Sequence, residues 1–391
     1  MKRVIFGLGL SGLAALELLK RESGELFAVD RKPISVEGVS VYKEEAFPTN
    51  ISIDEVIVSP GVSFSNPLIQ RFLKRGIPVI GEMEMALGRV HQPCIGITGT
   101  NGKTTTTYRI THLLNQAGQK ACALGNCGIP LSSYLLNPDL TETLCLEMSS
   151  FQLETIQSKK LERALLLPIT EDHLDRYRSF EDYAKTKCRI VKALQEGGKL
   201  LLLEETKKKF EKYLNEVESI SIRGGVEDLV NKLFESLHIE VSEEMKKSFQ
   251  SPKHRLEEVG TFKGVRVIND SKATNIDSVL YAVHSLPKNL SIILGGRDKG
   301  GDFTKLVDLF RRRVKKAYLY GEASVKIKKE LNGIPLEMGS FEEMVNLAFK
   351  ETKSGEILLL SPACASFDSF RNFEERGDLF KKIVKQSVMP S

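Results

Sequence analysis

The sequence predicts an α/β protein whose sheets are parallel and covered by helices on both faces. Short, nearly continuous apolar runs alternate with amphipathic helical stretches almost throughout the chain, a pattern typical of parallel strands joined by crossover helices. Two glycine-rich loops also lie between an apolar run and a helical stretch. At 391 residues, the chain is long enough for two or three domains.

The strands are predicted from nine apolar runs, and a first helix is predicted over 13–22. The runs are RVIFG (3–7), LFAVD (26–30), EVIVSPG (55–61), CIGITG (94–99), TLCLEMSS (143–150), ERALLLPIT (162–170), SIILGG (291–296), KAYLYG (316–321) and EILLLSPA (356–363). The stretch 253–270 predicts a hairpin that opens a new sheet. The sequence assigns no role to the charged, helical stretch 201–250.

Composition excludes several classes of protein. The net charge is +5, from 56 basic and 51 acidic residues, and the basic runs 207–212 and 311–316 are interpreted as solvated helical faces, which argues against a nucleic-acid binder. The six cysteines form no CxxC pair, so a zinc site is not expected. Free cysteines of this kind indicate a protein of a reducing compartment. With no signal peptide and no long apolar run, we expect a cytoplasmic protein that does not enter membranes. We also expect it to be a monomer.

The first glycine loop is GLGLSG, residues 7–12, which matches GxGxxG between a strand and a helix. Glycines let the backbone approach a pyrophosphate, and the helix N-terminus attracts its charge. Asp30, at the end of the next strand, can hold a sugar hydroxyl. NAD is the obvious ligand, any nucleotide diphosphate can use the same contacts, and a tight turn without a ligand is the alternative.

The second glycine loop is GITGTNGKTTTT, residues 96–107. The general phosphate-binding pattern GxxxxGK[ST] requires glycine where this chain has Ile97, so the match is to a variant, TGTNGKTT. Lys103 is expected to reach the terminal phosphates of ATP and Thr104 to bind Mg²⁺. The remaining predicted ATP contacts in the loop are Gly99, Thr100, Asn101, Gly102 and Thr105.

Domain boundaries are predicted near 88–93, before the strand that leads into the second loop, and near 251–252, before the predicted hairpin. Residues 1–90 are predicted to form a Rossmann-like N-terminal domain, 91–252 a P-loop NTPase-like central domain, and 253–391 a Rossmann-like C-terminal domain. One loop should hold ATP and the other a different diphosphate. This combination predicts an enzyme whose substrate is itself a nucleotide conjugate.

Several polar residues follow predicted strands, at the sheet edge where ligands gather. Glu147 ends a strand, and His173 stands between Asp172 and Asp175, a grouping that favours a cation site over a capping histidine. Taken alone, Lys187 is best interpreted as a solvated lysine. The alternatives that remain open are a loop cap for Ser366 and core packing for Phe373.

The variant loop resembles the ATP loop of the Mur ligases, and further motifs of that family follow in order. They are LEMSSFQLE (146–154), TEDHLDRY (170–177), YAKTKCRI (183–190), HR (254–255), INDSKATN (268–275), LGGRDKGGDF (294–303) and SPACASFDSFRNFEERG (361–377). The last three, with VSPG (58–61), closely resemble the D-glutamate-adding members. The resemblance implies a ligase of peptidoglycan precursor synthesis that uses ATP to join D-glutamate to UDP-N-acetylmuramoyl-L-alanine through an acyl phosphate.

The resemblance also implies roles for individual residues. Two Mg²⁺ ions are expected on Thr104, Glu147, His173 and a carbamylated Lys187. Adenosine contacts are expected from Arg255, Asp270 and Lys272. D-Glutamate contacts are expected from Thr274, Lys299, Ser366, Phe373 and Phe367, which replaces the usual leucine. UDP-substrate contacts are expected from Leu10, Ser11, Asp30, Gly61, Asn126, Ser149 and Gln152. Lys103, His173 and Lys187 are the expected catalytic residues, and domain closure should exclude water.

One departure from the family concerns its His-Asn-x-x-Asn stretch, whose counterpart here is GGVED, with Gly225 and Asp228 replacing the asparagines. The stretch 201–223 also looks shortened, so central strands are expected to be missing. The rival functions are a related Mur ligase or a folylpolyglutamate synthase adding another amino acid, a nicotinamide dehydrogenase, and a non-catalytic nucleotide switch. The dehydrogenase leaves the second loop unexplained, and Lys299 with Ser366 argues against the switch.

Overall fold

A computed structural model of the chain describes residues 1–32, 34–48, 50–173, 176–214 and 217–387. Three sheets form within these ranges, and their strands pair in parallel except in one hairpin. The described residues make two compact units, the first from 1–169 and 179–249 and the second from 170–178 and 250 onward, apart from the gaps just given. The predicted α/β class is confirmed, whereas the boundaries at 90 and 252 stay predictions.

The first sheet has five strands in the order β3-β2-β1-β4-β5. They are β1 (Lys2–Phe6), β2 (Glu25–Val29), β3 (Ser40–Tyr42), β4 (Glu55–Val58) and β5 (Val79–Gly81), with helices α1 (Leu10–Leu19), α2 (Pro67–Lys74) and α3 (Glu82–Leu87). Val4 and Phe6 pack into one apolar cluster and Ile5 into another. Since alternate residues of a strand face opposite sides, both faces of the sheet are buried, which explains the unbroken apolar run in β1.

The second sheet has six parallel strands in the order β11-β10-β9-β6-β8-β7. They are β6 (Cys94–Thr98), β7 (Ala121–Gly125), β8 (Thr143–Glu147), β9 (Leu161–Leu166), β10 (Leu194–Leu203) and β11 (Ser219–Ile222). The accompanying helices are α4 (Lys103–Gln116), α5 (Leu131–Tyr134), α6 (Ser150–Leu153), α7 (Phe180–Cys188), α8 (Glu204–Phe210), α9 (Val226–Ser236) and α10 (Glu243–Lys247). Strands β6 and β8 are neighbours and parallel, so the second glycine loop and Glu147 both lie at the carboxyl-terminal edge of this sheet.

The third sheet has six strands in the order β12-β13-β17-β14-β15-β16. They are β12 (Glu257–Phe262), β13 (Val265–Asn269), β14 (Leu290–Gly295), β15 (Val314–Tyr320), β16 (Leu336–Met338) and β17 (Ile357–Ala363). The helices are α11 (Ile276–Ser285), α12 (Val307–Arg313), α13 (Ser324–Glu330), α14 (Phe341–Glu351) and α15 (Phe373–Gln386). Strands β12 and β13 pair antiparallel, which confirms the hairpin predicted over 253–270.

All nine apolar runs form strands, but other strands carry a weaker sequence signal. Strands β3, β11 and β16 lie at sheet edges and have no buried residue, because an edge strand needs little apolar character. Strand β11 lies within the stretch that looked shortened. The basic run 311–316 is not wholly helical, since β15 begins at Val314. No described helix is long and apolar enough to cross a membrane.

Candidate active site

The first glycine loop joins β1 to α1. Gly7 has a φ of +90°, in the left-handed region. A Cβ on Gly12 would lie 1.8 Å from the carbonyl oxygen of Gly7, so α1 fits against the loop only because residue 12 has no side chain. A Cβ on Gly9 would meet no atom within 4 Å. The loop is therefore closed at Gly12 and open at Gly9, where a phosphate can approach the helix N-terminus.

Asp30 follows β2 and fixes the conformation of this loop. Its Oδ2 accepts a 2.6 Å hydrogen bond from the N–H of Leu8, and its Oδ1 accepts one of 2.8 Å from the N–H of Lys32. Carboxylate oxygens have further lone pairs, so Asp30 keeps acceptor capacity for a sugar hydroxyl. The hydroxyl of Ser59 donates a 2.7 Å hydrogen bond to the carbonyl oxygen of Gly7. Ser59 was missed as a loop-holding residue, although the motif VSPG contains it.

The other residues predicted around the first loop are accessible. The side chain of Leu10 is 83% exposed, and Ser11 is half-buried. Gly61 is exposed, and a Cβ there would meet no atom within 4 Å. These positions are open to a ligand.

The second glycine loop joins β6 to α4 and needs its glycines for two reasons. Gly99 and Gly102 have φ values of +148° and +81°, where side chains are strained. A Cβ on Gly99 would also lie 2.5 Å from the Cβ of Leu167. The Nζ of Lys103 donates hydrogen bonds of 2.9 and 2.8 Å to the carbonyl oxygens of Gly99 and Thr100. The lysine is thus held over the loop, while Asn101 and Thr105 are half-buried beside it.

A buried carboxylate lies next to the start of α4. Glu147 is only 1% exposed, and its Oε2 accepts a 2.6 Å hydrogen bond from the hydroxyl of Thr104. Its Oε1 accepts a 2.7 Å hydrogen bond from the side-chain amide of Asn126. A carboxylate and a hydroxyl are oxygen donors that suit Mg²⁺. Within the described ranges no three His, Cys, Asp or Glu side chains gather to hold a metal, so the fit rests on this pair.

Lys187 lies on α7 and is only 1% exposed, so its interpretation as a solvated lysine is wrong. Its Nζ lies 4.7 Å from the ring centroid of Tyr183, one turn earlier on the same face. The hydroxyl of Tyr183 lies 3.2 Å from Oγ1 of Thr100. Tyr183 therefore connects the buried lysine to the ATP loop. Tyr183 is not among the residues predicted from the sequence, although its spacing of four from Lys187 is a signal.

Ser149 and Gln152 form a capping box at the start of α6. The N–H of Ser149 donates a 2.9 Å hydrogen bond to Oε1 of Gln152, and the N–H of Gln152 donates one of 3.3 Å to the hydroxyl of Ser149. Both predicted substrate contacts thus have a local structural role.

Gly225 and Asp228, which replace the family's asparagines, also have a local structural role. Gly225 is the N-cap of α9, and its N–H donates a 2.8 Å hydrogen bond to Oδ2 of Asp228.

In the second unit, Asp172 contacts several polar residues, two of which, His173 and Lys299, were predicted as site residues. Its Oδ1 accepts a 3.0 Å hydrogen bond from the Nζ of Lys299, and its Oδ2 accepts one of 3.0 Å from the amide of Asn275. Nε2 of His173 lies 3.8 Å from the same Oδ2. Burial opposes the charge, but Lys299 and His173 outweigh it and lower the pKa of Asp172 to about 2. Asp175 lies outside the described residues.

One of the predicted adenosine contacts, Asp270, is a buried aspartate. Oδ1 of Asp270 accepts a 3.1 Å hydrogen bond from the N–H of Leu256, and Oδ2 accepts one of 3.0 Å from the hydroxyl of Ser361. Burial raises the pKa of Asp270 to about 7, although these bonds and the charge of Arg255 favour the anion. The Nζ of Lys272 lies 3.8 Å from the ring centroid of Phe373, a cation–π contact that links an expected nucleotide contact with an expected acceptor contact.

The remaining predicted acceptor contacts differ in burial. Ser366 is 3% exposed, and its carbonyl oxygen accepts the N–H of Phe370 at 2.9 Å, so it does lie in a turn. Phe367 is 62% exposed. Phe373 is half-buried at the first position of α15, and Thr274 is half-buried after β13. Phe373 is therefore not simply a core residue.

Profiles of three domains of one family match the chain in order, and the last two matches overlap. "Mur ligase MurD-like, N-terminal domain" matches residues 1–81, "Mur ligase middle domain" matches 97–271, and "Mur ligase, glutamate ligase domain" matches 254–364. The predicted three-domain organisation is thereby confirmed.

Similar proteins and solved structures point the same way. The chain is 36% identical to a Protochlamydia amoebophila protein and 35% identical to one from Koribacter versatilis, both named UDP-N-acetylmuramoylalanine--D-glutamate ligase, over 98% of this chain and 97–98% of theirs. The MurF ligase of Thermotoga maritima in complex with ADP has a TM-score of 0.62 at 15% identity, covering 98% of this chain and 95% of that one. FolC of E. coli with DHPP and ADP has a TM-score of 0.59 at 15% identity, covering 78% and 92%. At these identities the two structures establish the fold alone.

Proposed function

The chain belongs to the Mur ligase family, and from this premise we propose that it joins D-glutamate to UDP-N-acetylmuramoyl-L-alanine with conversion of ATP to ADP and phosphate. The observation that carries the proposal is that the loop at Lys103, the carboxylate of Glu147 and the buried Lys187 occur in a chain similar over 98% of its length to proteins named for this reaction. We place it in the cytoplasm, as a monomer.

The first step is activation of the substrate carboxylate, whose oxide is a poor leaving group. The carboxylate attacks the γ-phosphate of ATP and becomes an acyl phosphate, with ADP as the leaving group. Lys103 turns from its loop carbonyls to the phosphate oxygens, and the amides of Gly99 to Lys103 spread the developing charge. Arg255, Asp270 and Lys272 are assigned to the adenosine.

Thr104 and Glu147 are proposed to hold one Mg²⁺, and Glu147, His173 and a carbamylated Lys187 to complete the site for two ions. Bound Mg²⁺ neutralises charge on the phosphate oxygens. Carbamylation turns the amine of Lys187 into a carboxylate, so the residue becomes an oxygen donor of the kind that Mg²⁺ prefers. Tyr183, one turn away, packs against the side chain of Lys187.

The second step is attack by the amine of D-glutamate on the acyl phosphate. The tetrahedral intermediate then loses phosphate and leaves the amide. Lys299 is assigned to a carboxylate of D-glutamate, because an ammonium that already binds the carboxylate of Asp172 has the charge and position for this contact. The rest of the amino acid is assigned to a group of four residues, Thr274, Ser366, Phe367 and Phe373. Water must be excluded, or the acyl phosphate hydrolyses.

The UDP part of the substrate is assigned to the first loop. The open side at Gly9 and the accessible positions of Leu10, Ser11 and Gly61 support this assignment. Asp30 supplies acceptor oxygens. Asn126, Ser149 and Gln152 are assigned to the part of the substrate nearer the ATP loop.

An assay of phosphate release tests the proposal. With ATP, Mg²⁺ and UDP-N-acetylmuramoyl-L-alanine, phosphate should accumulate only after D-glutamate is added, and a product heavier by one glutamyl residue should form. Equal release with L-lysine or diaminopimelate would contradict the choice of D-glutamate. Lys103→Ala should abolish release, because no other group of the loop supplies this cation.

A further inference from the structure

Arg376 is a fully buried arginine to which the proposed mechanism gives no role. It lies on α15, is 0% exposed, and is the largest of the fully buried side chains. Within the described parts of the chain, its guanidinium forms no ion pair, and its hydrogen bonds go to hydroxyl and carbonyl oxygens. Burying a cation among neutral partners is costly, so the residue requires an explanation beyond packing.

The guanidinium joins segments that are far apart in sequence. Its Nε and Nη2 donate hydrogen bonds of 2.9 and 2.6 Å to the hydroxyl and carbonyl oxygens of Ser271. Its Nη1 donates bonds of 3.1 Å to the hydroxyl of Tyr320 and to the carbonyl oxygen of Cys364. A Cβ on Gly296 would lie 3.3 Å from Nη1. Arg376 thus makes hydrogen bonds to the chain at the carboxyl ends of β13, β15 and β17.

These contacts lie beside residues assigned to two different ligands. Ser271 stands between Asp270 and Lys272, the proposed adenosine contacts, and Cys364 stands two residues before Ser366, a proposed acceptor contact. The hydroxyl of Ser271 donates a 2.8 Å hydrogen bond to the carbonyl oxygen of Phe373. The side chain of Arg376 therefore holds the proposed adenosine contacts and the proposed D-glutamate contacts in a fixed position relative to each other.

We propose that Arg376 is a positioning residue that sets the nucleotide and D-glutamate contacts of the third sheet in register. The inference rests on the proposed function, since it takes the two ligands from there. The planar guanidinium has several N–H donors in a fixed geometry, so it can hold two hydroxyl and two carbonyl oxygens at defined angles. The single ammonium of a lysine cannot do this.

The test compares Arg376→Lys and Ser271→Ala with Lys382→Met, which removes a charge from an exposed position of the same helix. We expect Arg376→Lys and Ser271→Ala to raise the KM values of ATP and D-glutamate together, about tenfold and about threefold respectively, and to leave the KM of the UDP substrate within twofold. Lys382→Met should match the wild type.

A stability measurement and a binding measurement separate the outcomes. If the variants lower the melting temperature while both KM values stay unchanged, or if the KM of the UDP substrate rises equally, Arg376 is a structural residue and the proposal is wrong. Calorimetric titration with ADP needs no turnover and should show weaker binding in both variants. If the wild type binds ADP but releases no phosphate with D-glutamate, the proposed function fails, whereas the effect on ADP affinity still decides the role of Arg376.

Discussion

The Nζ of Lys299 donates a 3.0 Å hydrogen bond to Oδ1 of Asp172, a carboxylate whose side chain is only 9% exposed. The pair joins the lysine assigned to D-glutamate to the residue next to His173. If Lys299 binds a carboxylate of D-glutamate, that carboxylate must share the ammonium with Asp172 or displace Asp172 from it.

Lys299→Met should raise the KM of D-glutamate by about 10- to 150-fold, because a hydrogen bond to a charged group contributes about 1.5–3 kcal/mol. The measurement is steady-state phosphate release at saturating ATP and UDP substrate. The matched control is Lys305→Met, which breaks the half-exposed pair of Lys305 with Glu171 in the same unit and should change KM less than twofold. Equal effects of the two substitutions would remove Lys299 from the acceptor site.

The two ends of the first glycine loop should respond differently to a single methyl group. Gly12→Ala should lower the free energy of unfolding by about 2–4 kcal/mol, because its Cβ would lie 1.8 Å from the carbonyl oxygen of Gly7. Gly9→Ala should leave stability within about 0.5 kcal/mol, because its Cβ would meet no atom within 4 Å. It should nevertheless raise the KM of the UDP substrate about tenfold by occupying the open side of the loop. An unchanged KM in a stable Gly9→Ala protein would show that the diphosphate binds elsewhere.

The glycine loops could be predicted because their function depends on the backbone, and glycine spacing between a strand and a helix reports backbone geometry directly. The role of Asp30 was only half predictable. Its position after β2 follows from the pattern, but its bond to the N–H of Leu8 depends on how the loop turns back. Ser149 and Gln152 carried an unused signal, since S-x-x-Q is typical of a capping box.

The burial of Lys187 could not be predicted from its helix. The segment YAKTK offers lysines at 185 and 187. Tyr183, Ala184 and Cys188 place residue 187 on the apolar face of the helix, but a lysine on such a face can also extend its ammonium to solvent. Tertiary packing decides it: Lys187 is 1% exposed, whereas Lys185 is exposed. The edge strands β3, β11 and β16 could not be predicted either. An edge strand is little buried, so its position does not require an apolar sequence.

The two lysines of α7 therefore form a matched pair for testing the carbamate. Lys187→Met should reduce kcat at least 100-fold, because removing a ligand-holding or charge-stabilising group at such a site costs about 3 kcal/mol of transition-state stabilisation. Lys185→Met should reduce it less than twofold. Intact-protein mass spectrometry under native conditions should show an addition of one CO₂ in the wild type and none in Lys187→Met. Full activity of Lys187→Met would exclude the carbamate from the mechanism.

Asp270 should give the ligand-free protein a measurable pH dependence of stability. Burial raises the pKa of this carboxyl from 3.8 to about 7. Below pH 3.8 it is protonated in the folded and the unfolded chain, and its contribution to stability is fully present. As the pH rises towards 7, the unfolded chain ionises first, so the contribution is lost progressively, and above about 7 the loss is complete. The full range corresponds to at most about 4 kcal/mol.

Asp270→Asn removes this titration while keeping the shape of the side chain. The melting temperature of the variant relative to the wild type should therefore rise between pH 4.5 and 7.5, the window that the raised pKa defines, and should level off above it. Asp308→Asn, at an exposed position of α12, should give a difference that does not vary with pH. A flat difference for Asp270→Asn would mean that the carboxyl is already ionised in the folded protein. In that case Asp270 would be ready to accept hydrogen bonds from the ribose at any pH in this window, and the affinity for ADP should not change across it. If the pKa is raised as stated, ADP affinity should instead increase as the pH rises through about 7, because the carboxylate anion accepts hydrogen bonds from ribose hydroxyls more strongly than the neutral carboxyl does.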